Sequence, residues 1–417
     1  MKRLAEQSHF LYRLDGSDMN NKMPNIVSMT VVTSAYGAGQ RISAVAIEYS
    51  EQMARGNLEP EQYAVEGYEI TNLCVSDTAR GEPVWEGHFV QLLLDADTEA
   101  LSVCGHTGAG PAARAFIKKP VLHVTQKVPI AACSGRLMEP FSGDTTAVDL
   151  GIADRFLVYH FTAKNGKVLT YNLYVPEHML VGQEYPIVLF MHDLGSCSPD
   201  AKTTLLQGTG ATVWAIESYY NRRPCFVVAP QYTDQCANDD YEVTWEAEAT
   251  IELMDFLCQA YPIDRKRIYG TGQSMGTMML CELMLRHPHY FAGLLLVAGQ
   301  WDPDRLTAAK DENLWVVVSS GDEKACPTMR KALNNMAAAG GKMAYGHVNA
   351  RSDAAWIDAA VRSQKQKNAN LNMTWFEGRS VVPMEMPVHS GMHHIFTWVK
   401  AYDIKALREW LFEQRLP

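Results

Sequence analysis

The segment Tyr269-Gly-Thr-Gly-Gln-Ser-Met-Gly276 constrains this chain more than any other. It holds the pattern G-x-S-x-G centred on Ser274, with the apolar run Arg267–Gly270 before it and the helical period Met275–Arg286 after it. A serine on a tight strand-to-helix turn points its hydroxyl out of the sheet, and only small flanking residues fit such a turn. The N-terminus of the following helix favours developing negative charge. The pentapeptide alone is weak, since composition produces it in roughly one chain in eight of this length at Gly ~7%. The strand-then-helix context gives it force. Gly270 and Gly272 also begin a dinucleotide-type G-x-G, but Met275 stands where the third glycine is required, and that reading fails.

The surroundings fit a sheet that presents such a turn. Apolar runs at Ile187–Met191, Cys225–Ala229, Gly293–Val297, Leu314–Ser319 and Leu371–Phe376 alternate with helix-length segments. The latter are Thr244–Ala260, Thr328–Ala338, Ser352–Ser363 and Ile404–Gln414. Alternation of this length implies a mostly parallel sheet covered on both faces. Phe156–Phe161 and Val168–Val175 flank Asn165-Gly166, a hairpin signal that adds antiparallel strands at one edge. The first 130 or so residues differ: short β-rich runs such as Ile26–Thr33, Ile42–Tyr49 and His88–Leu94 are separated by polar Gly- and Pro-containing links. Strands at that spacing indicate a small β-sandwich. The expected division is an extension over 1–22, a sandwich over 23–140 and a catalytic α/β domain over 141–417.

Composition narrows the partners. A length of 417 residues with 47% hydrophobic and 20% charged content describes an ordinary globular chain of two domains. The net charge of −10 argues against nucleic acid, and apolar runs such as Phe291–Ala298 fall short of the ~20 residues of a membrane span. The start Met-Lys-Arg-Leu-Ala-Glu-Gln-Ser-His has no apolar run, so no signal peptide is expected. The nine cysteines show no C-x-x-C spacing and are odd in number, which reads as a reducing compartment. A cytoplasmic location is therefore expected, with secretion after loss of a leader as the alternative. No cofactor is implied, and a homo-oligomer is the one further assembly considered.

A serine nucleophile needs a base and an orienting acid. The cluster His389-Ser-Gly-Met-His393-His394 lies beyond the last strand, where an α/β-hydrolase carries its base after nucleophile and acid in chain order. The i, i+4 spacing of His389 and His393 suggests a metal, but Gly391 argues against a helix there and H-E-x-x-H is absent, so no metal is expected. His287, His289 and His347 lie in less suitable places. For the acid, Leu314–Ser319 ends in Ser-Gly-Asp322-Glu323, and only one of these carboxylates points inward; Asp302 is a weaker candidate. The oxyanion hole needs the N–H of Met275 and one from the loop after Ile187–Met191, where Leu194 is the natural donor. His192 is expected to shape that loop.

With these residues assembled, the chain resembles bacterial carboxylesterases that carry an N-terminal immunoglobulin-like domain on an α/β-hydrolase, relatives of polyhydroxybutyrate depolymerases and feruloyl esterases. Ile42–Tyr49 and Tyr63-Ala-Val-Glu-Gly67 resemble the immunoglobulin-like module; Tyr171–Pro176, Tyr261-Pro-Ile-Asp264 and Gly270–Gly276 resemble the hydrolase core. The resemblance implies an α/β-hydrolase fold preceded by an all-β immunoglobulin-like sandwich. The family's histidine stands three residues before a Thr-Trp pair, which Thr397-Trp398 places at His394. Its acid falls at Asp322, although counting back from Pro327 as in more distant relatives picks Glu323. Relatives often have His-Gly in the oxyanion loop; here it is His192-Asp193. Trp214, Gln300, Trp301 and Trp398 are expected to rim the pocket or to be core.

The expected partner is thus a small ester of a short-chain or small aromatic acid. A serine peptidase of the same fold, or a polyester or feruloyl ester hydrolase, remains as the alternative. An inert binding protein predicts a broken triad, and all three members are present.

Overall fold

A computed structural model describes residues 25–95, 102–108 and 113–417. The expected extension over 1–22 lies outside them. The chain divides into two compact units. The first runs to Ser34, then covers Gln40–Val103 and Lys118–Asp154. Its five-stranded sheet has the order Ala147–Asp149, Ile26–Tyr36, Gly39–Ala54, Glu86–Leu94, Ile70–Ser76. A second sheet has the order Phe141–Asp144, His123–Gln126, Tyr63–Val65. The two sheets share a buried polar contact: the Tyr49 hydroxyl donates to Gln126 Oε1 at 2.7 Å and lies 3.0 Å from the Tyr63 hydroxyl. Two sheets that bury side chains between them form the sandwich arrangement.

By its contacts this first unit runs on to Asp154, past the expected end of the sandwich at 140. Ala147–Asp149 adds in parallel to Ile26–Tyr36, a long-range pairing that a local pattern of three residues does not signal. Ala35–Gly39 and Cys104–Ile117 count with the second unit.

The second unit is built on one nine-stranded sheet. Its order is Leu157–Thr162, Val168–Tyr174, Phe226–Gln231, Tyr185–Met191, Ile263–Gln273, Gly293–Val297, Leu314–Ser319, Leu371–Phe376, Met343–Val348. The first two junctions are antiparallel and the rest parallel. Parallel strands covered on both faces bury every side chain: Ile187, Val188, Leu189, Phe190 and Met191 are all fully buried. Helices Trp245–Ala260, Met275–Arg286, Ala325–Ala338 and Ala354–Lys365 follow the strands Phe226–Gln231, Ile263–Gln273, Leu314–Ser319 and Met343–Val348, and Ser390–Ala401 and Lys405–Glu413 close the chain. Ile263–Gln273 sits at the middle of the sheet, so whatever follows it projects from the centre of one edge. Among the described residues no helix is long and apolar enough to cross a membrane.

Candidate active site

Ser274 occupies the junction between the strand Ile263–Gln273 and the helix Met275–Arg286. Its φ of 50° and ψ of −117° lie outside the regions an L-residue prefers, at a cost of about 1–3 kcal/mol. The spacing of the flanking glycines follows from crowding beneath this turn. A Cβ on Gly276 would lie 2.0 Å from the Met191 carbonyl oxygen, and one on Gly272 would lie 2.7 Å from the Gly276 carbonyl carbon. The strand, the turn and the helix approach too closely for any side chain at either position. Gly276→Ala is therefore expected to cost about 3 kcal/mol or more, roughly 6–10 °C in Tm; an unchanged melting curve would contradict the packing. The Ser274 N–H donates to the Val297 carbonyl at 3.0 Å, and the Thr277 hydroxyl lies 2.8 and 2.9 Å from the Gly272 and Val297 carbonyls. These bonds hold the turn against its strain.

His394 Nε2 lies 2.8 Å from Ser274 Oγ, and His394 Nδ1 lies 2.6 Å from Asp322 Oδ2. Asp322 is buried, and it also accepts from the N–H groups of Ala325 at 2.9 Å and Lys324 at 3.1 Å. Burial raises its carboxyl, but the hydrogen bond and charge of His394, with those two N–H groups, outweigh burial and hold it below the usual carboxylate range. The neighbouring Glu323 side chain faces solvent, while its N–H donates to Ser390 Oγ at 3.0 Å. Asp302 accepts from the N–H groups of Asp304 and Arg305 and stays at its own turn.

His393 points elsewhere. Its Nδ1 lies 2.8 Å from Ser319 Oγ, and its ring covers Gly321 so closely that a Cβ there would sit 2.4 Å from it. Burial pushes its pKa down, which keeps the ring neutral. His287, His289 and His347 pair with Glu248, Glu312 and Glu377 away from Ser274. The expectation that Gly391 excludes a helix is corrected: the helix Ser390–Ala401 contains it. Gly391 is the second residue of that helix, in a turn whose N–H groups have no intrahelical acceptor to lose. The glycine cost applies to helix interiors.

A cavity of about 300 Å³ opens on Ser274, His394 and Asp322. Leu194, Met275 and Met278 give it an apolar side; Gln235, Asn238, Asp239, Gln300 and Lys324 give it a polar one. Leu194 is the first residue of a 3₁₀ turn and Met275 the first of an α-helix, so both N–H groups stand at positions without an intrahelical acceptor. Gln300 Nε2 donates to Asp239 Oδ1 at 3.0 Å, and Lys324 pairs with Asp239 Oδ2. A larger cleft of about 600 Å³ shares Gln235, Ala237 and Asn238 and reaches Arg286, but holds none of the three titrating or nucleophilic groups.

Of the four residues expected at the rim, Gln300 lines the cavity and the tryptophans do not. Trp214 and Trp301 are fully buried. The Trp214 indole N–H donates to the Gly210 carbonyl at 2.7 Å and that of Trp301 to Glu282 at 3.0 Å. Both indoles find an acceptor in the core, so nothing draws them to the surface. Trp398 lies behind the site, edge-on to the His394 ring at 5.4 Å between centroids.

The family model of the esterase Ig-like N-terminal domain matches residues 28–139. A solved thermostable esterase superposes with a TM-score of 0.79 at 24% identity, over 94% of this chain and 100% of that one. The fold is that of an α/β-hydrolase. A puromycin hydrolase (TM-score 0.43, 15% identity, 74% of this chain and 46% of that one) and the S-formylglutathione hydrolase of Staphylococcus aureus (TM-score 0.38, 15% identity, 62% and 98%) are more distant. No curated protein matches.

Within this α/β-hydrolase fold, His192 is a scaffold residue. Its Nε2 accepts from the Tyr232 N–H at 2.9 Å and its Nδ1 donates to the Asp193 carbonyl at 2.7 Å. Burial lowers its pKa, so it stays neutral. The polar wall Gln235–Asp239 and Lys324 went unforeseen in the sequence. The one available signal was a polar loop joining a central strand to its helix, the usual seat of binding residues.

Proposed function

We propose that this protein is a serine carboxylesterase acting on esters of short-chain or small aromatic acids. The observation that carries the reading is the hydrogen-bonded line Asp322–His394–Ser274 at 2.6 and 2.8 Å, ending in a cavity bounded by two helix-start residues. His394 takes the Ser274 proton as Oγ attacks the ester carbonyl, and Asp322 holds the imidazole and stabilises its cation. The oxyanion meets the N–H groups of Leu194 and Met275. Collapse breaks the ester C–O bond, His394 returns the proton to the departing alcohol, and water repeats the cycle on the acyl-enzyme.

A cavity of about 300 Å³ is at the small end of ligand pockets and favours a short acyl group. Chromogenic esters from acetyl to dodecanoyl, with methyl ferulate and a peptide amide alongside, test this. The expected order has kcat/KM highest at short acyl chains and lower by about 100-fold or more at dodecanoyl, since each unaccommodated group forfeits roughly 1–3 kcal/mol. Peptide cleavage exceeding ester cleavage replaces the reading with a peptidase.

A further inference from the structure

The loop after the strand Tyr185–Met191 carries Asp193 where the family resemblance leads one to look for glycine. Its φ of −75° and ψ of 169° are open to any L-residue, so the backbone makes no demand for glycine. The carboxylate is nevertheless buried, at 8% exposure. Burying a carboxylate is costly unless its lone pairs are matched. The groups that match them are neutral and come from both sides of the site. Asp193 Oδ2 accepts from the Ser196 hydroxyl at 2.8 Å and from Gln273 Nε2 at 2.9 Å. Gln273 Nε2 also donates to Gln207 Oε1 at 2.8 Å, which fixes the amide's orientation. Ser196 closes the turn that begins at Leu194, and Gln273 directly precedes Ser274.

We propose that Asp193 is a positioning residue of the oxyanion hole, its carboxylate joining the turn that bears the Leu194 N–H to the strand end that bears the nucleophile. The proposal deepens the esterase reading and rests on it. The two halves of the hole belong to different strands, and their separation must be held to a fraction of an ångström for both donors to reach one oxyanion. A negative charge beside that site opposes the developing oxyanion, so the contribution of Asp193 is its geometry and not its charge. Both bonds end on one oxygen, so an asparagine amide oxygen can accept both.

The test compares wild type, Asp193→Ala, Asp193→Asn and Gln273→Ala, with Ser274→Ala as the blank. It measures kcat and KM on a short-chain chromogenic ester and Ki for a boronic acid, which forms a tetrahedral adduct on serine. A displaced donor costs less than the ~10²–10³ of a deleted one, so Asp193→Ala is expected to lower kcat by about 10–100-fold. KM should stay within about twofold, and Ki should rise by the same factor as kcat falls. Asp193→Asn retains most of the wild-type rate. Gln273→Ala removes the same bond from its other end and reproduces the kcat-selective loss even if Asp193→Ala does not fold. Wild-type kcat in both alanine variants overturns the proposal, as does an effect confined to KM or an equal loss in Asp193→Ala and Asp193→Asn. Any of these leaves the esterase reading intact while Ser274→Ala is inactive. Wild-type protein with no Ser274-dependent hydrolysis overturns both.

Discussion

Ser274→Ala is expected to lower kcat on a short-chain ester by about 10⁵–10⁶-fold, the scale at which a serine nucleophile is removed from a preorganised site. The variant tests chemistry alone. Alanine at φ 50° carries the same backbone strain as serine, and the bonds from the Ser274 N–H and Thr277 do not involve the hydroxyl. The melting temperature should therefore change little while turnover disappears. KM loses meaning at such rates, so substrate affinity is better followed by titration with a non-hydrolysable analogue. Residual hydrolysis within 10-fold of wild type would remove Ser274 from the mechanism and leave the cavity without a nucleophile.

Asp322→Asn is expected to cost about 10⁴-fold in kcat, because an amide in that place forces the imidazole into the wrong tautomer and cannot stabilise its cation. Glu323→Gln, one residue away but facing solvent, should stay within about twofold of wild type. The reverse ranking would move the acid to Glu323. The same carboxylate has a signature in stability. Its pKa is depressed in the folded protein by His394 and two N–H groups, against the opposing effect of burial. A depressed carboxyl contributes stability above its unfolded pKa of about 3.9, and that contribution is lost as pH falls through the folded value. The Tm difference between wild type and Asp322→Asn should thus change in acid, below about pH 5, as the stability contributed by the carboxylate is lost. A Tm difference that stays level from about pH 6 to about pH 3 would contradict this.

The sequence reading was sharpest where local pattern and burial coincide. Gly293–Val297 and Leu314–Ser319 have the bounds that their apolar runs predict, because a strand covered on both faces is apolar along nearly its whole length. Leu371–Phe376 has its expected bounds too, although it buries Asn372 and Thr374. Met343–Val348 was not foreseen: it is an edge strand, half exposed and interrupted by Gly346 and His347. Its place is set by pairing with Leu371–Phe376. Ser274, His394 and Asp322 were legible because each stands at the end of a strand or just beyond the last one, where chain order restricts the choice. Between the adjacent His393 and His394, the spacing to Thr397-Trp398 favours His394 through the family resemblance. The physical separation of the two lies in space: the missing side chain of Gly321 gives the His393 ring a slot under the turn of Asp322 and leaves His394 to face Ser274. The cavity's polar wall depends on Asp239 meeting Gln300 and Lys324 across long stretches of chain, and no local pattern encodes such a meeting. The tryptophans stay open between rim and core in the sequence because large amphipathic side chains suit both; buried acceptors for their N–H groups hold Trp214 and Trp301 inside.

The backbone of Ser274 has one more consequence. Glycine adopts positive φ without penalty, so it would relax this turn, and it has no hydroxyl to offer. Folding and chemistry thus rank the residues at this position in opposite orders. A selection for heat resistance alone, with turnover unmonitored, has a downhill route away from activity at residue 274. In this protein the strained serine marks a site that stability by itself would not maintain.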